Sequence, residues 1–258
     1  MISDKEVKQL FRKKLEISGV FGAGGGGHAL QIFRGKPLSL VDNMPPGGCT
    51  RHMKVFNQFG VIPEYCFGCY KVLIEPRTVA ELFRLFMVFE KIVLPNDNSR
   101  KCMVEGRDYC AGAYKGFVYC RGPEEGKAVR DLLQGAVADQ ISPGIPVALK
   151  RGCSEFSQAR PEYGQIQPGA VIMEYPQAWK VHEDAVDSVS AWPAHPKAER
   201  PHANSVANGT YPLSEIFAMQ YWLRYAATIG DLSYLKISGK TLPPLPQLKR
   251  PPFAFNGL

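Results

Sequence analysis

The 258-residue sequence predicts an α+β fold, and two observations carry that expectation. Short alternating apolar stretches at 70–74, 101–105, 116–120 and 146–150 read as strands. Longer stripes with apolar residues every three or four positions, at 79–93 and 123–141, read as helices.

Each element has a local reason. Tyr70-Lys71-Val72-Leu73-Ile74 alternates as a strand does. Thr78 and Glu81 have capping-box spacing ahead of Val79, Leu82, Phe86, Phe89 and Val93. Pro95-Asn96-Asp97-Asn98 is a turn. The strands at 101–105 and 116–120 are joined by a hairpin loop at 106–114. Pro123 suits the first position of a helix that carries Val129, Leu132, Leu133, Ala136 and Val137. Pro143 and Gly144 end it, and 146–150 supplies the last strand. The order β-α-β-β-α-β is the ferredoxin-like arrangement. Its usual strand order, 4-1-3-2, places the first strand in the interior, with both helices on one face.

Outside this core, 3–16 reads as a helix opened by Ser3 and Glu6. The Gly22–Gly27 stretch contains the spacing G-x-G-x-x-G, but Pro37, Pro45 and Pro46 leave little room for a phosphate-binding βαβ unit. It is expected to form a turn-rich loop. Residues 154–212 are irregular, 212–229 read as a helix stopped by Gly230, and the prolines from Pro243 to Pro252 give an extended tail. The expected division is 1–60 as an N-terminal helix and Gly/Pro-rich segment, 61–156 as the ferredoxin-like core, and 157–258 as a helix-containing C-terminal extension packed on it.

A net charge of +7 leaves room for an anionic partner such as nucleic acid, nucleotide or an acidic protein. The most apolar stretch, 79–94, carries Glu81, Arg84, Glu90 and Lys91, so no membrane segment is expected. The N-terminus lacks the pattern of a secretory signal. A cytoplasmic location follows as an expectation, and there the seven cysteines are thiols or metal ligands rather than disulfides.

The topology makes a specific demand on those cysteines. The first strand begins where the third and fourth end. Cys66 and Cys69 stand at that beginning, Cys120 at the end of the third strand, and Cys153 just past the fourth. These four are expected at one sheet edge as ligands of an iron–sulfur cluster or, alternatively, zinc. Gly68 lets the Cys-x-x-Cys turn fold so that both sulfurs face one point. Arg121 and Arg151 flank two of the ligands and would offset thiolate charge. A local competitor is Cys49-Thr50-Arg51-His52 followed by Cys66 and Cys69, a C-x2-H…C-x2-C zinc pattern. Cys102 is expected farther out, and Cys110 at the opposite end of the sheet. A thioredoxin-like dithiol is disfavoured because Cys66-x-x-Cys69 precedes a strand rather than a helix.

Lys115-Gly116-Phe117-Val118-Tyr119 matches part of the RNA-recognition fingerprint, although packing of Phe117 and Tyr119 on the helices is the expected arrangement. His182-Glu183-Asp184 is expected to be a solvated polar segment. No Walker loop, nucleophile elbow or His-Glu-x-x-His motif occurs. The functional expectation is a metal-binding protein, an enzyme or electron-transfer accessory of unknown substrate. The alternatives are a basic nucleic-acid or protein-binding module with structural zinc, and a metal-free enzyme.

Overall fold

The computed structural model describes residues 31–36, 44–107, 109–192 and 211–238. The helix expected at 3–16, the Gly22–Gly27 loop and the proline-rich tail lie outside them. One five-stranded antiparallel sheet organises the fold, with helices packed around it. Its strands are β1 (Gln31–Arg34), β2 (Cys69–Ile74), β3 (Arg100–Val104), β4 (Tyr114–Arg121) and β5 (Val147–Arg151), in spatial order β1-β3-β4-β2-β5. Strand β2 is interior, pairing with β4 through Cys69–Arg121 to Ile74–Gly116 and with β5 through Tyr70–Arg151 to Ile74–Val147. The sequence reading did not anticipate β1, which extends the sheet beyond β3.

The helices are α1 (Gly48–Phe59), α2 (Glu64–Phe67), α3 (Val79–Lys91), α4 (Gly122–Gln140), α5 (Ser154–Ala159), α6 (Lys180–Ser188), α7 (Leu213–Ile229) and α8 (Tyr234–Ser238). Helix α3 starts as its sequence requires: Thr78 Oγ1 accepts the Glu81 N–H at 3.2 Å, while the Glu81 carboxylate accepts the Arg77 N–H at 2.8 Å. Helices α3 and α4 touch each other and cover the same sheet face. Leu82, Leu85, Phe86 and Phe89 from α3 meet Val129, Leu133 and Val137 from α4 over Val72, Ile74, Val118 and Cys102. Removing a side chain such as Leu85 or Leu133 from this core costs about 2–5 kcal/mol. Helix α7 adds Ala218, Trp222 and Ala226 to the same core, at spacings of four. Among the described residues, no helix is long and apolar enough to cross a membrane.

Alternation puts the other members of each strand on the far face. Lys71, Lys101, Lys115, Phe117, Tyr119 and Lys150 lie there, since Lys71 pairs with Tyr119 and Lys150, and Lys101 with Phe117. Phe117 and Tyr119 therefore point away from α3 and α4, contrary to the packing expected from the sequence. Their neighbours Gly116 and Val118 are the residues that meet those helices.

A second layer forms beside one end of the sheet. The Arg51 guanidinium on α1 donates to both Asp187 carboxylate oxygens at 2.7 Å and to Glu183 at 2.8 Å, tying α1 to α6. Glu183 also accepts the Glu64 N–H at 2.8 Å and the Tyr175 hydroxyl at 2.9 Å. It is 2% exposed, so the solvated reading of 182–184 fails at this residue. On a helix, three successive residues face different ways, and Glu183 faces inward.

Candidate metal centre

A cavity of about 530 Å³, counting the part open to solvent, lies where α1, α2, β2, β4 and α5 meet. Its lining includes Cys49, Cys66, Cys69, Cys120 and Cys153, five of the seven cysteines, together with His52. Each arrives for a local reason. Cys49 and His52 stand one turn apart on α1, whose end is set by Gly60 at φ 66°. Cys66 is buried on the short α2, and Cys69 opens β2. Cys153 is the residue that caps α5, reached by a tight turn at Gly152.

The Cys-x-x-Cys turn is held along its whole length. The Cys66 carbonyl accepts the Tyr163 hydroxyl at 2.6 Å. The Phe67 carbonyl accepts Arg151 Nε and Nη2 at 3.0 and 2.9 Å. The Gly68 carbonyl accepts the Gly122 N–H at 2.9 Å, and the Cys69 carbonyl accepts the Gly152 N–H at 2.8 Å. Four consecutive carbonyls thus have partners outside the turn, which fixes its backbone. Gly152 has φ 55°, and a β-carbon there would collide with the Tyr163 ring and hydroxyl.

The two flanking arginines act as supports. Arg151 clamps Phe67 and stacks over its ring, and Arg121 lies 4.1 Å from the Tyr65 ring centre while donating to the Tyr65 carbonyl. The cation that touches sulfur is Lys71, whose Nζ donates to Cys153 Sγ at 3.2 Å. The sequence reading missed it. The available signal was a lysine at the centre of an otherwise apolar interior strand.

Burial raises the thiol pKa values. Cys66 is raised well above the usual thiol value and Cys69 is raised too, whereas Cys49 is exposed to solvent. Lys71 opposes the rise at both Cys66 and Cys69. Burial works against the Lys71 charge too, but Cys153, Tyr119 and Cys69 hold its pKa well above the usual lysine value. Metal ligation would replace the thiol protons.

Cys120 occupies a different position from the other four. It pairs with Tyr70, and both belong to the core under α3 and α4. It reaches the cavity wall, but the sheet's alternation turns it to the face opposite Cys69 and Lys71. Cys49, Cys66, Cys69 and Cys153 line the cavity from outside that core. Cys102 is fully buried in the main core. Cys110 differs from expectation, because the β3–β4 loop folds back towards α5. Arg107 reaches Glu155 at 2.5 Å, and the Tyr109 hydroxyl donates to the same carboxylate at 3.3 Å, which brings Cys110 to this side.

His52 is 3% exposed and stacked on Tyr65, with ring centroids 5.3 Å apart. Its Nε2 has no hydrogen-bond partner among the described residues. Burial, reinforced by Arg51, lowers its pKa to about 4. Among the described residues, no three His, Cys, Asp or Glu side chains close on a point that would hold a single metal ion. Comparison with family models, curated proteins and solved structures returns no match.

Proposed function

We propose that this cavity holds an iron–sulfur cluster on Cys49, Cys66, Cys69 and Cys153, in a protein that transfers electrons or supports an enzyme that does. The carrying observation is that Cys49, Cys66, Cys69 and Cys153 line one cavity, with the Lys71 ammonium donating to Cys153 Sγ beside them. Four sulfurs around a zinc ion would sit about 2.3 Å from a common centre, whereas a cluster spreads them over its corners. The sheet's alternation favours Cys49 over Cys120 as the fourth ligand. His52, with a buried Nε2 that has no partner among the described residues, supports a bound group in the cavity as a donor to it or as a further ligand. Lys71 supplies positive charge beside the thiolates.

We also read β2-α3-β3-β4-α4-β5 as a ferredoxin-like unit, with β1 added at its β3 edge. The strand order β3-β4-β2-β5 and the shared helix face support that reading.

The test is anaerobic purification followed by iron, acid-labile sulfide and zinc analysis, with absorption and paramagnetic resonance spectra. Iron and sulfide in equal amounts, with a charge-transfer band in the visible, are expected. Stoichiometric zinc without sulfide would replace the cluster with the zinc reading. Protein without metal, even after reconstitution with iron and sulfide, would end both.

A further inference from the structure

On the sheet face away from α3 and α4, Lys71, Lys101 and Lys150 stand on three different strands around Tyr119 and Phe117. Lys71 and Lys150 are direct cross-strand partners, a like-charge arrangement that is unfavourable unless something neutralises it. Lys71 Nζ lies 5.3 Å from the Tyr119 ring centre, and Lys101 Nζ lies 5.5 Å from that of Phe117. All three lysines are half-buried.

None of the three has a carboxylate partner among the described residues. Lys101 donates to Gln31 Oε1 at 2.7 Å and Lys150 to Ser154 Oγ at 2.7 Å, both neutral acceptors, while Lys71 donates to Cys153 Sγ at 3.2 Å. Each ammonium carries three donors. The acids nearby are already engaged. Glu155 accepts Arg107 and Tyr109, Glu105 accepts Arg107, and Glu75 accepts Lys115. Arg107, on the loop that folds back over this side, adds to the positive field at Lys101. Lys101 and Lys150 are half-buried cations without a counter-charge among the described residues, and with Lys71 between them they are costly in a chain that could have placed apolar residues there.

We infer that Lys71, Lys101 and Lys150 bind a small multivalent oxyanion of the phosphate or sulfate class beside the cysteine cavity. A small ligand suits the site better than a nucleic-acid strand. Phe117 and Tyr119 are only 7% and 9% exposed, so their faces are not available for base stacking, on which single-strand recognition depends. The inference stands whether or not the cavity carries a metal, because Lys101 and Lys150 do not touch the thiols.

The experiment is a titration with inorganic phosphate, followed by calorimetry at constant ionic strength set with chloride. It is run on chelator-treated and on iron-loaded protein, with metal content measured separately. Saturable binding is expected in at least the metal-free form. Lys101→Met and Lys150→Met should each weaken it by about tenfold or more, the loss of one charge-assisted hydrogen bond. Lys101→Arg should retain it, and Lys54→Met, remote from the sheet face, should leave it unchanged. No saturable binding in either form, or equal binding by the Lys101→Met and Lys150→Met variants, would overturn the inference. A single-stranded oligonucleotide that binds while phosphate does not would overturn it in favour of a nucleic-acid surface. Absence of iron with phosphate binding intact would remove the cluster and leave the anion site.

Discussion

The Lys71 ammonium donates to Cys153 Sγ at 3.2 Å from the centre of an interior strand. Cys69 lies two residues earlier on the same strand face, so Lys71 is placed between two thiols by alternation alone. A fixed positive charge at this position favours thiolate and would favour the more reduced, more negative state of a bound cluster. Lys71→Met keeps most of the side-chain volume and removes the charge. In the loaded protein it should lower the reduction potential by on the order of tens of millivolts. An unchanged potential at full iron content would show that Lys71 has no electrostatic role at the centre.

Arg51, Glu183 and Asp187 fasten the helix carrying Cys49 and His52 to α6. Arg51 and Glu183 have side chains only 4% and 3% exposed, so deleting the guanidinium strands a buried carboxylate. Arg51→Ala should cost about 3–5 kcal/mol in urea unfolding. It should also loosen α1 and reduce metal retention. A loss within about 0.5 kcal/mol, the range of an ordinary surface substitution, would show that the network does not hold the two helices together.

Gly152 is required by its backbone and by its neighbour. Its φ of 55° is left-handed, and a β-carbon would meet the Tyr163 hydroxyl that supports the Cys66 carbonyl. Gly152→Ala should destabilise the fold by about 1–3 kcal/mol. It should displace both Cys66 and Cys153. Tyr163→Phe, which removes only the hydrogen bond, should cost about 1 kcal/mol. If thermal unfolding placed the two variants in the opposite order, the proposed clash would not be the dominant effect.

His52 gives the metal-free protein a pH dependence. Its pKa is lowered from 6.5 to about 4 by burial first and Arg51 second. Between these values the unfolded chain binds the proton and the folded chain does not. Stability from this group is therefore full above about pH 6.5 and falls as pH drops towards 4. The shift corresponds to about 3 kcal/mol. Unfolding free energies at pH 7 and pH 4.5 should differ less in His52→Gln than in the parent. Equal differences would assign the acid sensitivity to the carboxylates.

The sequence showed the sheet best where alternation was clean. The four expected strands occur within a residue or two of their predicted positions, and Thr78, Pro123 and Gly230 bound helices as their chemistry suggests. Strand β1 was missed because four residues next to a glycine-rich stretch have too short a period to read. Helix α1 was also missed, although Arg51, His52, Val55 and Phe56 recur at helical spacing. The surrounding glycines and prolines obscured it. As a result, Cys49 and His52 were read as a separate zinc pattern, while in the fold they face the same cavity as Cys66, Cys69 and Cys153. Cys120 was placed by counting strand ends, which fixes position along a strand but not which face the side chain takes. The path of the Cys110 loop depends on Arg107 meeting Glu155, a contact 48 residues apart that no local pattern reveals.

The central claim is that Cys49, Cys66, Cys69 and Cys153 share one metal–sulfur centre. The most direct measurement is the iron and acid-labile sulfide content of anaerobically purified single Cys→Ser variants, compared at equal folded fraction. Loss is expected for Cys49→Ser, Cys66→Ser, Cys69→Ser and Cys153→Ser. Retention is expected for Cys120→Ser and for Cys102→Ser, whose thiol is buried in the main core. Loss in Cys120→Ser with retention in Cys49→Ser would contradict the assignment and move the fourth ligand to the other face of the sheet.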